Sequence, residues 1–235
     1  MGFLNNVGRL HRYGFADQVL IYAQNPDVTA AAPAELWHKR FDRQIKIAEP
    51  GIALLDDDNA IRYVYDVSQT EPLGENSKEP DLWRLGREQR GPVLKSLANT
   101  FDVPDNSSLE SFCFGLAQSL SARYYEDNKD AVNALLGKST IGLRLNERQR
   151  VQFFIKTVAD SALYAVMSRC EGADSPRVED IGDNIDRIRI SWFNTSESIS
   201  LLGEAASGIS NSIRPVRKFK QCLNPCCASH KESSF

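Results

Sequence analysis

The run Glu71-Pro-Leu-Gly-Glu-Asn-Ser-Lys-Glu-Pro80 carries no hydrophobic period and is dense in chain breakers, and the sequence changes character across it. Ahead of it, between Gln44 and Val67, residues with strand character alternate apolar and polar. Behind it, from Gly91 to Ile213, apolar residues recur at helical spacing. A chain with this switch in period combines a small β-containing part with a larger helical part, which is an α+β class. We place an α+β domain over 1–73, a linker over 74–80, a mainly helical domain over 81–213 and a disordered tail over 214–235. At 235 residues and 42% hydrophobic the chain can bury a core. A first part of about 70 residues folds alone only marginally, so it is expected to pack on the second.

Within the first part, Phe15, Val19, Leu20, Ile21, Tyr22 and Ala23 cover a broad helical face, and Asn25-Pro26 stops that helix because proline cannot continue the ladder. Pro33 at a helix start and Glu35 to Arg40 predict a second helix, with Leu36 and Trp37 toward the core and Lys39, Arg40 and Arg43 toward water. Three strand-like runs follow, Gln44–Ala48, Gly51–Leu55 and Ala60–Val67. Glu49-Pro50-Gly51 and Asp56-Asp57-Asp58-Asn59 separate them with turn chemistry, predicting a small antiparallel β-meander packed with helices. In the last run Ile61, Tyr63 and Tyr65 alternate with Arg62, Val64 and Asp66. One strand face must be buried, and Tyr63 and Tyr65 are expected to pack on the helices.

The second part predicts helices over Gly91–Phe101, Ser108–Asp127, Lys129–Leu136, Glu147–Cys170, Val178–Ile190 and Ser196–Ile213. Ser107 with Glu110, and Asn146 with Gln149, have capping-box spacing. The longest helix is apolar round much of its circumference, from Phe153 and Phe154 to Met167, which marks it as the central one. Cys113 and Cys170 lie within such apolar stretches and are expected as small buried hydrophobes.

Little supports catalysis. Three histidines, His11, His38 and His230, are spread along the chain, with no His-Glu-x-x-His helix, no dinucleotide fingerprint and no Gly-x-Ser-x-Gly elbow. Gly137-Lys-Ser-Thr140 is not a phosphate loop, because Val132 stands where the motif needs glycine, and Gly137 is better placed as a helix C-cap. Asp56-Asp57-Asp58-Asn59 lacks the ligand spacing of a calcium loop and is expected as a solvated turn. Cys222, Cys226, Cys227 and His230 crowd zinc-type ligands into a segment with no hydrophobic support, so no metal is expected there. The expectation is a non-enzyme without cofactor, metal or small-molecule substrate.

The net charge of −3 argues against a protein coated in basic charge, and the tail is the locally basic part, with Arg214, Arg217, Lys218, Lys220 and Lys231 against Glu232. The tail's break in character suggests a truncated or out-of-frame end to a longer coding region. No apolar run of about 18 residues and no secretory pattern at Met1–Leu10 occur, so no membrane contact and a cytoplasmic setting are expected.

The segment Trp37-His-Lys-Arg-Phe-Asp-Arg-Gln-Ile-Lys46 interleaves aromatic rings with Lys39, Arg40, Arg43 and Lys46, the two ingredients of single-strand recognition: cations for phosphate and ring faces for unstacked bases. The same spacing fits core residues at Trp37 and Phe41 with an ordinary solvated face of charges. Tyr13 to Ala30, Glu35-Leu-Trp-His-Lys-Arg40, Gly51-Ile-Ala-Leu-Leu55 and Arg62-Tyr-Val-Tyr-Asp-Val-Ser-Gln-Thr70 together resemble the N-terminal domain of ArdC-type antirestriction proteins. They are more similar still to the form of that domain at the front of large helicase-methylase proteins of bacterial conjugative elements. The likeness extends over roughly residues 3–213 through Ser161 to Cys170, Phe193-Asn-Thr195 and Leu201-Leu-Gly-Glu-Ala205.

The resemblance implies binding of single-stranded DNA; from the basic-aromatic segment and the third strand, Lys39, Arg40, Arg43, Lys46, Arg62 and Trp37 are the candidate contacts for sequence-tolerant binding, with other mobile-element proteins as further partners. If Trp37 is core, Lys39, Arg40 and Arg43 are left to carry the phosphates. Ile47-Ala48-Glu49-Pro50-Gly51 departs from the basic turn of relatives, which lowers the expected affinity. The competing expectation is a protein-docking module with no DNA contact.

Overall fold

The computed structural model describes residues 2–80, 85–101, 108–170, 176–185 and 190–213, and shows an α+β protein. Residues 2–80 belong to one compact unit and residues 85–213 to another. The tail over 214–235, with its cysteines and His230, lies outside the described residues.

The first unit runs α1 (Phe3–Arg9), α2 (Phe15–Gln24), β1 (Ala31–Ala32), α3 (Ala34–Phe41), β2 (Arg43–Ile45), β3 (Ile52–Leu55), β4 (Ile61–Asp66) and β5 (Thr70–Pro72). Helix α2 stops at Asn25, before Pro26, where the proline predicts, and Pro33, expected at the first helical position, is instead the N-cap of α3. Helix α3 ends on Asp42, whose left-handed φ of 53° turns the chain into β2.

The strands do not pair in succession as a three-run meander. β3 and β4 form an antiparallel hairpin with Ile52 opposite Val64 and Leu55 opposite Ile61, and β1 lines the other edge of β4, giving the order β1-β4-β3. β2 pairs with β5 instead, Arg43 opposite Pro72 and Ile45 opposite Thr70. The connection explains this. Ala48 sits at φ 65° and Pro50 has no N–H, which breaks the ladder between β2 and β3. The amide of Gln69 then holds the loop, donating to Pro50 O at 2.7 Å and to the Glu49 carboxylate at 3.2 Å.

Both faces of the small sheet are covered, unequally. Ala31, Ile52, Leu54 and Val64 pack with Ile21 of α2 and with Leu10, Tyr13 and Val28. Ala30, Ala32 and Tyr65 turn the other way, against Trp37 and Phe41 of α3. Eight residues make α3 about 12 Å long, which covers Tyr65 and goes no further. Tyr63 is therefore 53% exposed and Ile61 62% exposed, correcting the expectation that Tyr63 packs on a helix. The deeply buried side of β4 holds Val64 and Asp66.

Asp66 is buried because its carboxylate closes a network. Oδ1 accepts from the Thr29 and Ala30 N–H groups at 2.7 and 2.9 Å, and Oδ2 from the Ser68 N–H and hydroxyl at 3.0 and 2.6 Å. At the outer edge of β3 the side-chain amide of Gln24 donates to Ala53 O and accepts from Ala53 N–H, each at 2.9 Å. A side chain thus stands where another strand would pair.

Residues 74–80, expected as a linker, rest on the end of α3. Leu73 N–H donates to Asp42 O and Lys78 N–H to Phe41 O, both at 2.9 Å, and Pro80 is buried. Breaker-rich composition signals missing regular structure, not missing contacts.

The second unit contains α4 (Arg90–Phe101), α5 (Leu109–Asp127), α6 (Lys129–Leu136), α7 (Thr140–Arg144), α8 (Glu147–Met167), α9 (Pro176–Asn184) and α10 (Ser196–Ser212). Helix α8 is central, packing against α5, α7, α9 and α10. Asn146 and Gln149 form the expected capping box at its start, and Gly137 caps the end of α6. The cap of α5 is Ser108, bonded to Ser111 N–H, while Ser107 lies outside the described residues. Of the expected Val178–Ile190 helix, α9 covers the part up to Asn184, a single turn spans Ile190–Trp192, and residues 186–189 lie outside the described residues. Helix α7 was not anticipated, and Asn194 Oδ1 secures its start by accepting from Thr140 N–H at 2.8 Å. Cys113 and Cys170 are buried free thiols; burial pushes Cys113 up to about 12 and raises Cys170 as well, which makes both poor nucleophiles. No described helix is long and apolar enough to cross a membrane.

Candidate nucleic-acid interface

The six residues singled out in the sequence separate into two groups. Trp37 is completely buried, its indole N–H donating to Tyr65 O at 2.9 Å and its ring 5.3 Å from that of Phe41. It offers no face to a base and is a core residue. Arg43 is 6% exposed, against the expectation that it faces water. The left-handed turn at Asp42 starts β2 with this side chain pointing inward. There its Nε donates to Thr70 Oγ1 at 2.7 Å, one Nη to Thr70 O at 3.1 Å, and the other to Glu79 at 3.0 Å. These bonds make Arg43 a fastener between β2, β5 and the 74–80 segment, unavailable to phosphate.

Arg62 bonds Asp17 at 2.6 Å. Burial raises the Asp17 carboxyl above its ordinary range, against the opposing pull of Arg62, so the pair is a partly desolvated tie between β4 and α2. The remaining three cations are exposed. Lys46 donates to Ser68 O at 2.6 Å, and Lys39 meets Glu35 at 3.5 Å across one helical turn, a contact worth about 0.3–0.5 kcal/mol and readily given up. Arg40 makes no ion pair among the described residues.

An aromatic face comes from a residue outside the expected set. Tyr63 shares a sheet face with Tyr65, which lies against Trp37 of α3, and its ring lies over Gly51. A methyl group on Gly51 would fall 2.7 Å from Tyr63 Cδ1, so glycine is what lets the ring lie there. The loop that follows the exposed Lys46 leads into Gly51 under this ring. The strand alternation already put Tyr63 and Tyr65 on one side; the shortness of α3 was the signal that only one of them could be covered.

The face is electrically lopsided. Its α3 end carries Lys39 and Arg40, whereas beyond Ile61 the hairpin turn exposes Asp56, Asp57 and Asp58, with Asp56 Oδ1 accepting from the Asp58 and Ala60 N–H groups. Over residues 1–80 eight Lys and Arg stand against twelve Asp and Glu. Among the described residues no group of three or more His, Cys, Asp or Glu comes together as metal ligands. Comparison with protein-family models, with curated proteins and with solved structures finds no match to this chain.

Proposed function

We propose that the chain binds single-stranded DNA without catalysis, as the front part of a mobile-element protein of the ArdC-like kind acting in the cytoplasm. Lys39, Arg40 and Lys46 hold phosphates and Tyr63 stacks a base. The observation that carries this reading is the half-exposed Tyr63 ring, seated on Gly51 and bordered by the loop from Lys46. An unstacked base of any identity can rest on such a ring, whereas a duplex keeps its bases stacked on one another. With Arg43 buried and Arg62 tied to Asp17, few phosphates are neutralised, so binding is weak and shallow in its salt dependence.

Fluorescence anisotropy of labelled oligo-dT and of a duplex of equal length, at about 50 mM salt, tests it. The single strand should bind more tightly, and Tyr63→Ala should remove about 1–3 kcal/mol of binding with folding unchanged. Equal binding of both, or indifference to Tyr63→Ala, would sink the proposal. One observation favours a second reading, a docking surface for another mobile-element protein: Leu55, Ile61 and Tyr63 are exposed together beside the acidic hairpin turn. That reading is the one left standing if neither DNA form binds.

A further inference from the structure

Lys138, Arg144, Arg148, Arg150 and Lys156 fall within 19 residues that contain a single acidic side chain, Glu147, in a chain whose overall balance is negative. The fold distributes them over the turn after α6, α7 and the first three turns of α8. Lys138, Arg144 and Arg148 are exposed and make no ion pair among the described residues. Arg150 is half-buried beside Gly137, with an Nε that makes no hydrogen bond. Lys156 is tied to the buried Asp160 at 3.2 Å. Beside Asp160, carboxylates near the group include Glu147 and, on the first turn of α10, Glu197, which lies close enough to Lys138 to feel its charge.

Aromatic surface sits among these cations. Phe153 is three residues from both Arg150 and Lys156, which makes the three neighbours on the helix surface. Its ring stacks on Trp192 with centroids 5.3 Å apart and planes 23° off parallel, and both rings are only partly buried. Phe193, fully buried, lies against Phe153 with ring centroids 6.2 Å apart. Nearby, Leu143 on α7 is 83% exposed and Ile190 precedes Trp192 in the same turn. The bond from Thr140 N–H to Asn194 ties the Trp192 segment to α7, so rings and cations share one end of this unit.

We infer that this end of the second unit is a binding surface for an unpaired polynucleotide, with Lys138, Arg144 and Arg148 on the phosphates and the Phe153–Trp192 stack as a platform for a base. Free cations on the turn after α6, on α7 and on α8 suit a chain of phosphates rather than a single one, and a stack of two partly exposed rings offers a base the contact that a duplex cannot use. The surface is separate from the one proposed on the first unit and does not depend on it. DNA and RNA strands share the chemistry it recognises.

The test uses the full chain and labelled oligo-dT and oligo-U of about 20 nucleotides at low salt. Changing Lys138, Arg144 and Arg148 together to alanine should weaken binding at least about tenfold and lower the salt slope by about 2, since each single-strand phosphate contributes about 0.7. The thermal midpoint should not move. The tighter of the two oligonucleotides identifies the natural strand. A 5-iodouracil strand should crosslink within 190–193 or 150–156. Wild-type affinity in the triple variant, crosslinks confined to the first unit, or equal competition by polyglutamate would overturn the inference. Loss of binding only when Lys39, Arg40 and Lys46 are replaced would do so while leaving the first-unit site intact. The reverse pattern removes the first-unit site and keeps this one.

Discussion

Trp37→Ala should unfold the first unit. The indole fills the layer between α3 and the sheet, and its deletion removes a large buried ring together with the donor that satisfies Tyr65 O, an expected cost of about 3–5 kcal/mol. For a unit of this size that is most or all of the available stability. Near-ultraviolet circular dichroism and thermal denaturation read the effect, with Arg40→Ala as the comparison, an exposed change expected to stay within about 0.5 kcal/mol. A Trp37→Ala protein that keeps its transition and loses only DNA binding would contradict the core assignment.

Asp66→Ala should be nearly as damaging, for a different reason. Its carboxylate is the acceptor for the Thr29, Ala30 and Ser68 N–H groups, and alanine leaves these donors without it in a site that is 2% exposed. Charge-assisted bonds of this kind contribute about 1.5–3 kcal/mol each, so a total loss of about 3–5 kcal/mol is expected, short of additivity because the loop can rearrange. Amide exchange supplies a specific signature: the Thr29 and Ala30 amides should lose protection first, before the β3–β4 hairpin. An Asp66→Ala protein within about 1 kcal/mol of the parent, by urea titration, would show that water replaces the carboxylate and that the network is dispensable.

The α+β class, the position of α2 and α3 and the central place of α8 were legible because each rests on local signals: proline stops, a capping box at Asn146 and Gln149, and apolar period. Strand pairing was not. Whether β2 joins β3 or β5 depends on Gln69 reaching back to Pro50 and Glu49, contacts between residues about 20 apart that no local pattern records. The candidate interface failed in the same way. Arg43 and Arg62 read as surface cations because their types favour water, and what buries or engages them is the chance meeting of Thr70, Glu79 and Asp17 in the fold. Tyr63 was mistaken in the opposite direction, since its alternation with Val64 says which residues share a face but not how far a covering helix extends.

The Gln24 amide on the edge of β3 has a bearing on how the first unit behaves in concentrated solution. Exposed strand edges template runaway self-assembly, and many proteins guard them with charged side chains, a defence that salt weakens. Gln24 guards with a neutral group that occupies one N–H and one C=O of Ala53 directly. Resistance to strand pairing at this edge is therefore indifferent to ionic strength and to acidity, and the guard holds across the very salt range over which the proposed hold on an anionic strand would come and go.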